Sequence, residues 1–294
     1  MSSANTPEVF VQKSNSNPIE QGRIKQLKFL LLAIWAVLIT LHLNLTFQSA
    51  NTDLLSSAFL FWLAVTSLIC KKHNTLKYSS DVFSSLIGAL LIILLLSKSM
   101  NLSSYDHFLR IFPLISIFSL GLLASGFKNL KQYGREMLLL SFFAVPPGLV
   151  SLFIDLSGLT AKFAAFVLAL LGFQAVTQGV NVILPTGFIE VYHGCSGMSA
   201  IIQLLGLSLI ILSIFSTNFT QKIWLILIAI VIGFVINGLR VALMAVLVAA
   251  YNQSAFKYWH VGDGSLIFST SGVLIFVILS QLLLQKGIQE GVET

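Results

Sequence analysis

The sequence predicts an all-α polytopic membrane protein with about eight transmembrane helices. Of its 294 residues, 56% are apolar and 10% are charged, whereas a soluble domain carries roughly 25% charged residues. Apolar runs close to the ~20 residues of one bilayer crossing recur along nearly the whole chain. The runs are continuous and do not alternate, which excludes a transmembrane β-barrel. They also leave no room for a separate aqueous domain.

The N-terminal part is predicted to be a tail followed by four crossings. Residues 1–28 are polar and rich in Asn and Ser, so we expect a disordered cytoplasmic tail. The first apolar run, 29–47, lacks a small-x-small cleavage site and leads into further spans, so it is predicted to be a retained helix and not a signal peptide. The N-terminal transmembrane helices thus fill residues 29–136, with further candidate spans at 54–70, 82–97 and 108–127.

A second membrane region occupies residues 137–285 and is followed by a short cytoplasmic tail, 286–294. Pro146 and Pro147 interrupt the fifth run. We therefore expect an additional interfacial or re-entrant segment near 161–176. The candidate spans of this region are 137–155, 197–216, 223–250 and 264–285.

The loop charges orient these spans. Lys and Arg are concentrated in cytoplasmic loops of membrane proteins, so the cationic segments 71–77, 128–135 and 217–222 are predicted to be cytoplasmic. The loops 48–53 and 156–160 carry no Lys or Arg and are predicted to be outside. This distribution accounts for the net charge of +6 without a nucleic-acid partner.

A cysteine lies where a reactive thiolate would be placed. Cys195 is flanked by glycines at the start of an apolar run, after a segment of strand-like alternation at 180–192. Glycines allow close backbone approach, and the positive end of a helix dipole favours an anion such as a thiolate. The other cysteine, Cys70, lies in a different span, so both are expected to be free thiols.

An arginine lies inside an apolar run. The block 223–250 is interrupted at Asn237, Gly238 and Arg240, and we expect one crossing that ends near the arginine, followed by a half-length segment at 241–251. Asn237 and Arg240 are three residues apart and share a helix face. An ionisable group within a transmembrane run is by default a functional candidate, because its burial is costly.

Each feature also has a purely structural explanation. Cys195 can be a small packing residue, and His260, just before the last span, can be an interfacial histidine. Arg240 can snorkel to lipid head groups. It can also pair with Asp155 or Glu190 for folding alone.

The spacing of the three residues favours a shared site. Cys195 and Arg240 are separated by 45 residues, which fits two crossings of ~20 residues and a turn. Both therefore lie in the same leaflet as His260. A histidine can take the thiol proton and later protonate a leaving amine, and an arginine can stabilise an oxyanion. Together they form a set suited to acyl transfer.

Three motifs resemble those of the exosortase and archaeosortase family of integral membrane cysteine transpeptidases. They are HGCSGMSA at 193–200, NGLRVALM at 237–244 and WHVGDGSLIF at 259–268. The resemblance covers roughly 137–285, the exosortase-like catalytic region, and is greatest to the cyanobacterial branch. It implies Cys195 as the nucleophile, Arg240 as its partner and His260 as the third member.

The resemblance also implies the substrate and the location. The substrates would be membrane-anchored secreted proteins with a C-terminal sorting signal of PEP-CTERM type, and the acyl acceptor is unknown. The enzyme would lie in the plasma (inner) membrane with its active site at the extracytoplasmic side, and it would need no cofactor or metal. The cysteine motif departs from the family pattern at His193, where an acidic or small residue is expected, and this histidine therefore competes with His260 as the base. Asn237 is a candidate accessory residue.

Three other functions compete with this one. A membrane lipid or acyl transferase that uses Cys195 as a relay would share the chemistry. A non-catalytic permease could bind an anion at Arg240, although such proteins usually show internal repeats and no convincing one is present. A zinc-dependent intramembrane protease lacks its usual H-E-x-x-H motif here.

Overall fold

A computed structural model describes residues 18–49, 51–100, 106–261 and 264–290 of the chain. Among these residues, six helices are long and apolar enough to cross a membrane, and two further apolar helices are shorter. The predicted all-α polytopic fold class is confirmed, and the predicted number of about eight transmembrane helices is approximate. The helices are α1 (Pro18–Gln48), α2 (Thr52–Lys72), α3 (Val82–Met100), α4 (Asp106–Ser125), α5 (Gly134–Ala144), α6 (Pro147–Ser151), α7 (Ser157–Leu170), α8 (Met198–Ile214), α9 (Phe219–Ala249), α10 (Gln253–Val261) and α11 (Gly264–Glu290).

Two helix ends differ from the predicted boundaries. α1 begins at Pro18, so residues 18–28 are helical where a disordered tail was predicted. α11 likewise continues to Glu290, beyond the predicted boundary at 285. Hydropathy marks where lipid contact ends, and a helix can extend past that point into water. Residues 1–17 and 291–294 lie outside the described residues.

The N-terminal helices α1 to α5 pack around two apolar cores. α3 and α4 lie very close together at Gly88, which has no side chain. A Cβ there would come within 2.7 Å of the backbone oxygen of Ser119. Small residues allow such approach between membrane helices. α8 contacts both α2 and α5, and so connects this half to the C-terminal half.

The fifth apolar run, 137–155, is interrupted at its prolines as predicted, so this candidate span is not one continuous helix. α5 ends at Ala144, and Val145 and Pro146 are extended before the short helix α6 begins. A proline disfavours the α conformation in the residue before it and removes a backbone donor. Neither piece is long enough to cross a bilayer by itself.

The segment predicted as interfacial or re-entrant forms helix α7 and the start of a small sheet. α7 has 14 residues, fewer than the ~20 that a crossing requires. Its alanine-rich face packs on α9. The chain then forms a three-stranded antiparallel sheet in the order β1, β2, β3; the strands are Val176–Gln178, Asn181–Leu184 and Gly187–Glu190. β2 and β3 lie within 180–192, where strand-like alternation was predicted.

α8 and α9 form a long hairpin that positions the candidate site. The predicted interruption of α9 is wrong, because α9 runs unbroken for 31 residues from Phe219 to Ala249. Gly238 serves packing instead: a Cβ there would lie 2.2 Å from the ring of Phe163 on α7. Gly233 has the same role against α8, where a Cβ would lie 2.8 Å from the Cα of Ile201.

Candidate active site

Cys195 is held in a tight turn between the sheet and α8. It ends a short 3-10 helix, and Gly197 follows with a φ of 92°, in the left-handed region that favours glycine. The Nδ2 of Asn237 donates a hydrogen bond of 2.8 Å to the carbonyl of Cys195. The hydroxyl of Thr160 donates one of 2.8 Å to the carbonyl of Ser196. Helices α7 and α9 thus fix the backbone on which the thiol is carried.

The thiol lies against a histidine from a distant part of the chain. The Sγ of Cys195 is 3.4 Å from the Nε2 of His260. α10 carries His260, and the ring of Phe256, one turn earlier, stacks on the imidazole with centroids 5.1 Å apart. The hydroxyl of Tyr192 lies 3.4 Å from the same Nε2. The predicted proximity of Cys195 and His260 is therefore observed.

Arg240 completes the cluster. Its guanidinium donates from Nη2 to the backbone carbonyl of His260, so the three predicted residues come together at one end of the helices. The Nε of Arg240 is buried with no hydrogen-bond partner in the described part of the chain. No ion pair joins the arginine to Asp155 or Glu190 among the described residues. Within the residues it describes, the structure therefore does not contain the ion pair of Arg240 with Asp155 or Glu190 that would have explained the arginine by folding alone.

The surroundings of His260 favour a neutral imidazole. Partial burial lowers its pKa from the ordinary value of 6.5, and the positive charge of Arg240 lowers it further. Near neutral pH the ring therefore carries one proton and can accept a second at Nε2. Tyr192 behaves in the opposite way, because its hydrogen bond with Cys195 and partial burial raise the pKa of the phenol. It stays a hydrogen-bond donor.

Two cavities adjoin the cluster. The larger, of about 530 Å³, is lined by Arg240, Asn237 and His260 from the C-terminal half and by Asp53 and Arg110 from the N-terminal half. The smaller, of about 70 Å³, is lined by Cys195, Tyr192 and His260. His260 borders both cavities. A substrate segment in the large cavity would therefore lie beside the cysteine and histidine pair.

Comparison with known proteins assigns the family. The family model described as transmembrane exosortase matches residues 49–277. This match covers most of the chain. The protein belongs to the exosortase family. No curated protein and no solved structure matched in the other two comparisons.

The exosortase match confirms the family resemblance found in the three motifs. It begins at residue 49, well before residue 137, where the predicted region of resemblance begins, and so includes helices α2 to α5. The match is to the family as a whole, and the cyanobacterial branch stays a prediction. The chain is a multi-pass membrane protein by its family and its long apolar helices.

His193 is placed away from the exosortase thiol. Its Nδ1 lies 3.4 Å from Oδ1 of Asp155, with the histidine side chain about two-thirds exposed and the aspartate side chain about half exposed. Its backbone carbonyl accepts a hydrogen bond from the hydroxyl of Ser196. Of the two histidines that the sequence left in competition, the structure puts His260 within reach of Cys195. Among the described residues, no group of three His, Cys, Asp or Glu side chains is arranged to hold a metal ion.

Several residues near the site were not found by sequence reasoning. Tyr192, Phe256 and Thr160 carry no motif of their own, and their contacts depend on how α7, α10 and the sheet pack. Arg110 offered a signal, because it is an ionisable residue within the fourth apolar run. Arg110 was assigned no role from the sequence, so the N-terminal contribution to the cavity was not predicted.

Proposed function

We propose that this exosortase is a cysteine transpeptidase that cleaves the C-terminal sorting signals of membrane-anchored proteins and transfers the released acyl group. The observation that carries the proposal is the 3.4 Å approach of the Cys195 thiol to His260, with Arg240 bound to the backbone of that histidine. The three residues come from distant segments. Their convergence beside a polar cavity is what acyl transfer requires.

The first half of the reaction forms a thioester. Nε2 of His260 accepts the Sγ proton of Cys195 as the sulfur attacks the scissile carbonyl carbon. The carbonyl electron pair moves to oxygen, and Arg240 stabilises the resulting oxyanion. When the C–N bond breaks, the imidazolium returns the proton to the leaving amine. The substrate's N-terminal part is then bound to sulfur, and its transmembrane segment and basic tail are released.

The second half repeats the proton transfers with another nucleophile. An acceptor amine, hydroxyl or water loses its proton to His260 and attacks the thioester carbonyl. The thiolate then leaves and recovers the proton. The acceptor therefore decides between transpeptidation and hydrolysis, and its chemistry is not specified by these three residues.

We place the enzyme in the plasma (inner) membrane, and the charge distribution supports an orientation with the thiol at the extracytoplasmic side. The cation-poor loop 48–53 lies at the same end of the helices as Cys195, since His260 lines both the cavity beside Asn51 and Asp53 and the cavity beside Cys195. The cationic segments 71–77 and 217–222 lie at the other end, around a separate cavity. A PEP-CTERM-type substrate, whose basic tail stays inside, would present its cleavage motif to this outer face.

The decisive experiment traps the covalent intermediate. Wild-type protein is co-expressed with a substrate ending in a Pro-containing motif, an apolar helix and a basic tail, starved of acceptor and quenched in acid. Mass spectrometry is expected to find substrate residues on Cys195 in a bond that neutral hydroxylamine cleaves. Processing of the substrate by the Cys195→Ala variant would show that the covalent mechanism is wrong.

The same experiment separates the alternatives. A lipid or acyl transferase would carry a fatty acyl group in place of a peptide on Cys195. A permease would carry no adduct at all. A metal-dependent protease would be blocked by chelators and would process substrate without an adduct.

A further inference from the structure

A second polar cavity lies at the end of the helices opposite Cys195. It has a volume of about 450 Å³ and is formed where α2, α5, α8 and α9 begin or end. Its lining includes the four cations Lys71, Lys72, Arg135 and Lys222. The proposed thiol chemistry uses none of these residues.

The positive charge of this cavity is only partly neutralised. Lys72 pairs at 2.7 Å with the buried carboxylate of Glu136. No ion pair involves Lys71, Arg135 or Lys222 within the part of the chain that the structure describes. Four cations and one carboxylate leave an excess of three positive charges around one cavity. Such like charges repel one another unless an anion lies between them.

The cavity also offers fixed hydrogen-bond donors. Arg135 donates from Nη2 to the carbonyl of Ser213 at 2.8 Å, which holds its guanidinium across the gap between α5 and α8. The remaining guanidinium donors have the planar arrangement that suits phosphate. Thr217 lines the cavity as well, and its hydroxyl oxygen is buried with no partner among the described residues.

Exposed aromatic side chains occur in the lining of the cavity and in the first turns of α9. Phe215 lines the cavity, and Phe219 and Trp224 follow along the chain, with 54%, 77% and 51% of their surfaces exposed. Exposed aromatic residues next to cations are typical of the membrane interface, where acyl chains and head groups meet. A free phosphate ion would use the cations alone. A phospholipid would also cover the aromatic side chains.

We propose that this cavity binds the phosphate of an anionic glycerophospholipid such as phosphatidylglycerol. Basic pockets between helices are a known type of anionic head-group site. Lys71 and Lys72 belong to the N-terminal half, and Lys222 belongs to the C-terminal half. The bound phosphate therefore joins the two halves at the end away from the thiol.

The test measures lipid binding to the purified full-length protein. Delipidated protein in a neutral detergent is titrated with phosphatidylglycerol or phosphatidylcholine, and bound lipid is counted by native mass spectrometry. The variant Lys71→Gln/Lys222→Gln removes two exposed charges from the cavity. The matched control, Lys77→Gln/Lys131→Gln, removes two exposed charges at the same end but outside the cavity lining.

The expected result is preferential binding of phosphatidylglycerol by wild type. The cavity variant should bind it about tenfold more weakly, and the control should change by less than about twofold. Equal binding of the two lipids, or equal losses in both variants, would overturn the proposal. Binding of inorganic phosphate that the cavity variant loses, without any binding of phosphatidylglycerol, would also overturn it, by showing that a free ion is the ligand. Circular dichroism of each variant ensures that a loss of binding is not a loss of fold.

Discussion

The Sγ of Cys195 lies 3.4 Å from the Nε2 of His260, although 65 residues separate them in the chain. Two features hold the pair. Asn237 fixes the backbone of the cysteine, and Arg240 fixes the backbone of the histidine. Both residues lie on one face of α9. A single unbroken helix therefore sets the distance between the proposed nucleophile and the proposed base.

The first prediction concerns the pH dependence of the thiol's reactivity. Because burial and Arg240 lower the pKa of His260, the imidazole stays neutral at neutral pH and protonates only as the pH falls below the ordinary value of 6.5. The rate of Cys195 alkylation by iodoacetamide, measured in a Cys70→Ser background, should therefore decrease along an acid limb below pH 6.5. His260→Ala should slow alkylation at neutral pH by about tenfold. A His193→Ala variant with that phenotype would identify the other histidine as the base.

The second prediction separates the charge of Arg240 from its geometry. Arg240→Lys keeps a cation but loses the planar fork that reaches the carbonyl of His260. We expect substrate processing to fall by about a hundredfold or more, while the acid limb of alkylation stays near its wild-type position. Arg240→Gln removes the charge, so the pKa of His260 should rise and the acid limb should move to higher pH. Full processing by Arg240→Lys would mean that charge alone suffices.

The third prediction tests Asn237 as a positioning residue. Asn237→Ala and Asn237→Asp both remove the Nδ2 donor that satisfies the carbonyl of Cys195. Each should lower the free energy of unfolding by about 1 to 3 kcal/mol, the cost of a buried group without its partner. Each should also slow alkylation of Cys195 at neutral pH, which a general loss of stability would not do in the folded protein. Wild-type alkylation in both variants would assign Asn237 to folding alone.

The convergence of Cys195 and Arg240 was predictable from the sequence, because it depends on the lengths of the transmembrane helices and the turn between them. Two crossings and a turn bring residue 195 and residue 240 to the same leaflet whatever their side chains pack against. The continuity of α9 was not predictable in this way. A glycine in an apolar run weakens a helix on its own, but the ring of Phe163 occupies the space that a side chain at Gly238 would need. Tertiary packing against α7, and not intrinsic helix propensity, therefore explains the glycine at position 238 within a continuous α9.

The choice between the two histidines also depended on tertiary structure. His193 is two residues from Cys195 in sequence, and its side chain pairs with Asp155 instead. His260 reaches the thiol because α10 folds back against α9. Adjacency in sequence within a 3-10 turn does not determine which side chains meet. The prolines at 146 and 147, by contrast, act through backbone geometry, and the break they predict is present.

The fourth prediction extends the substrate site to the N-terminal half. Arg110 lines the large cavity together with Arg240, so it can contact a substrate segment that lies beside the thiol. Arg110→Gln should raise KM for substrate processing by about tenfold with little change in kcat, because it acts on binding in ground and transition states alike. Arg110→Lys should retain part of the affinity. A fall in kcat with unchanged KM would show that Arg110 acts on the chemical step instead.

The fifth prediction concerns orientation, and a reporter tests it better than thiol labelling does. Cys195 is 8% exposed, so poor access to an impermeant reagent would be indistinguishable from an inward-facing site. A reporter placed at 217–222 avoids that difficulty, because residues 218–220 of this segment are exposed beside the cationic cavity. A fluorescent protein inserted there should fold and fluoresce in the cytoplasm, and alkaline phosphatase there should be inactive. In the matched insertion at 48–53, at the thiol end, alkaline phosphatase should be active and the fluorescent protein should not fluoresce. Since α8 and α9 connect the two ends, phosphatase activity at 217–222 would move the thiol to the cytoplasmic face and overturn the proposed orientation.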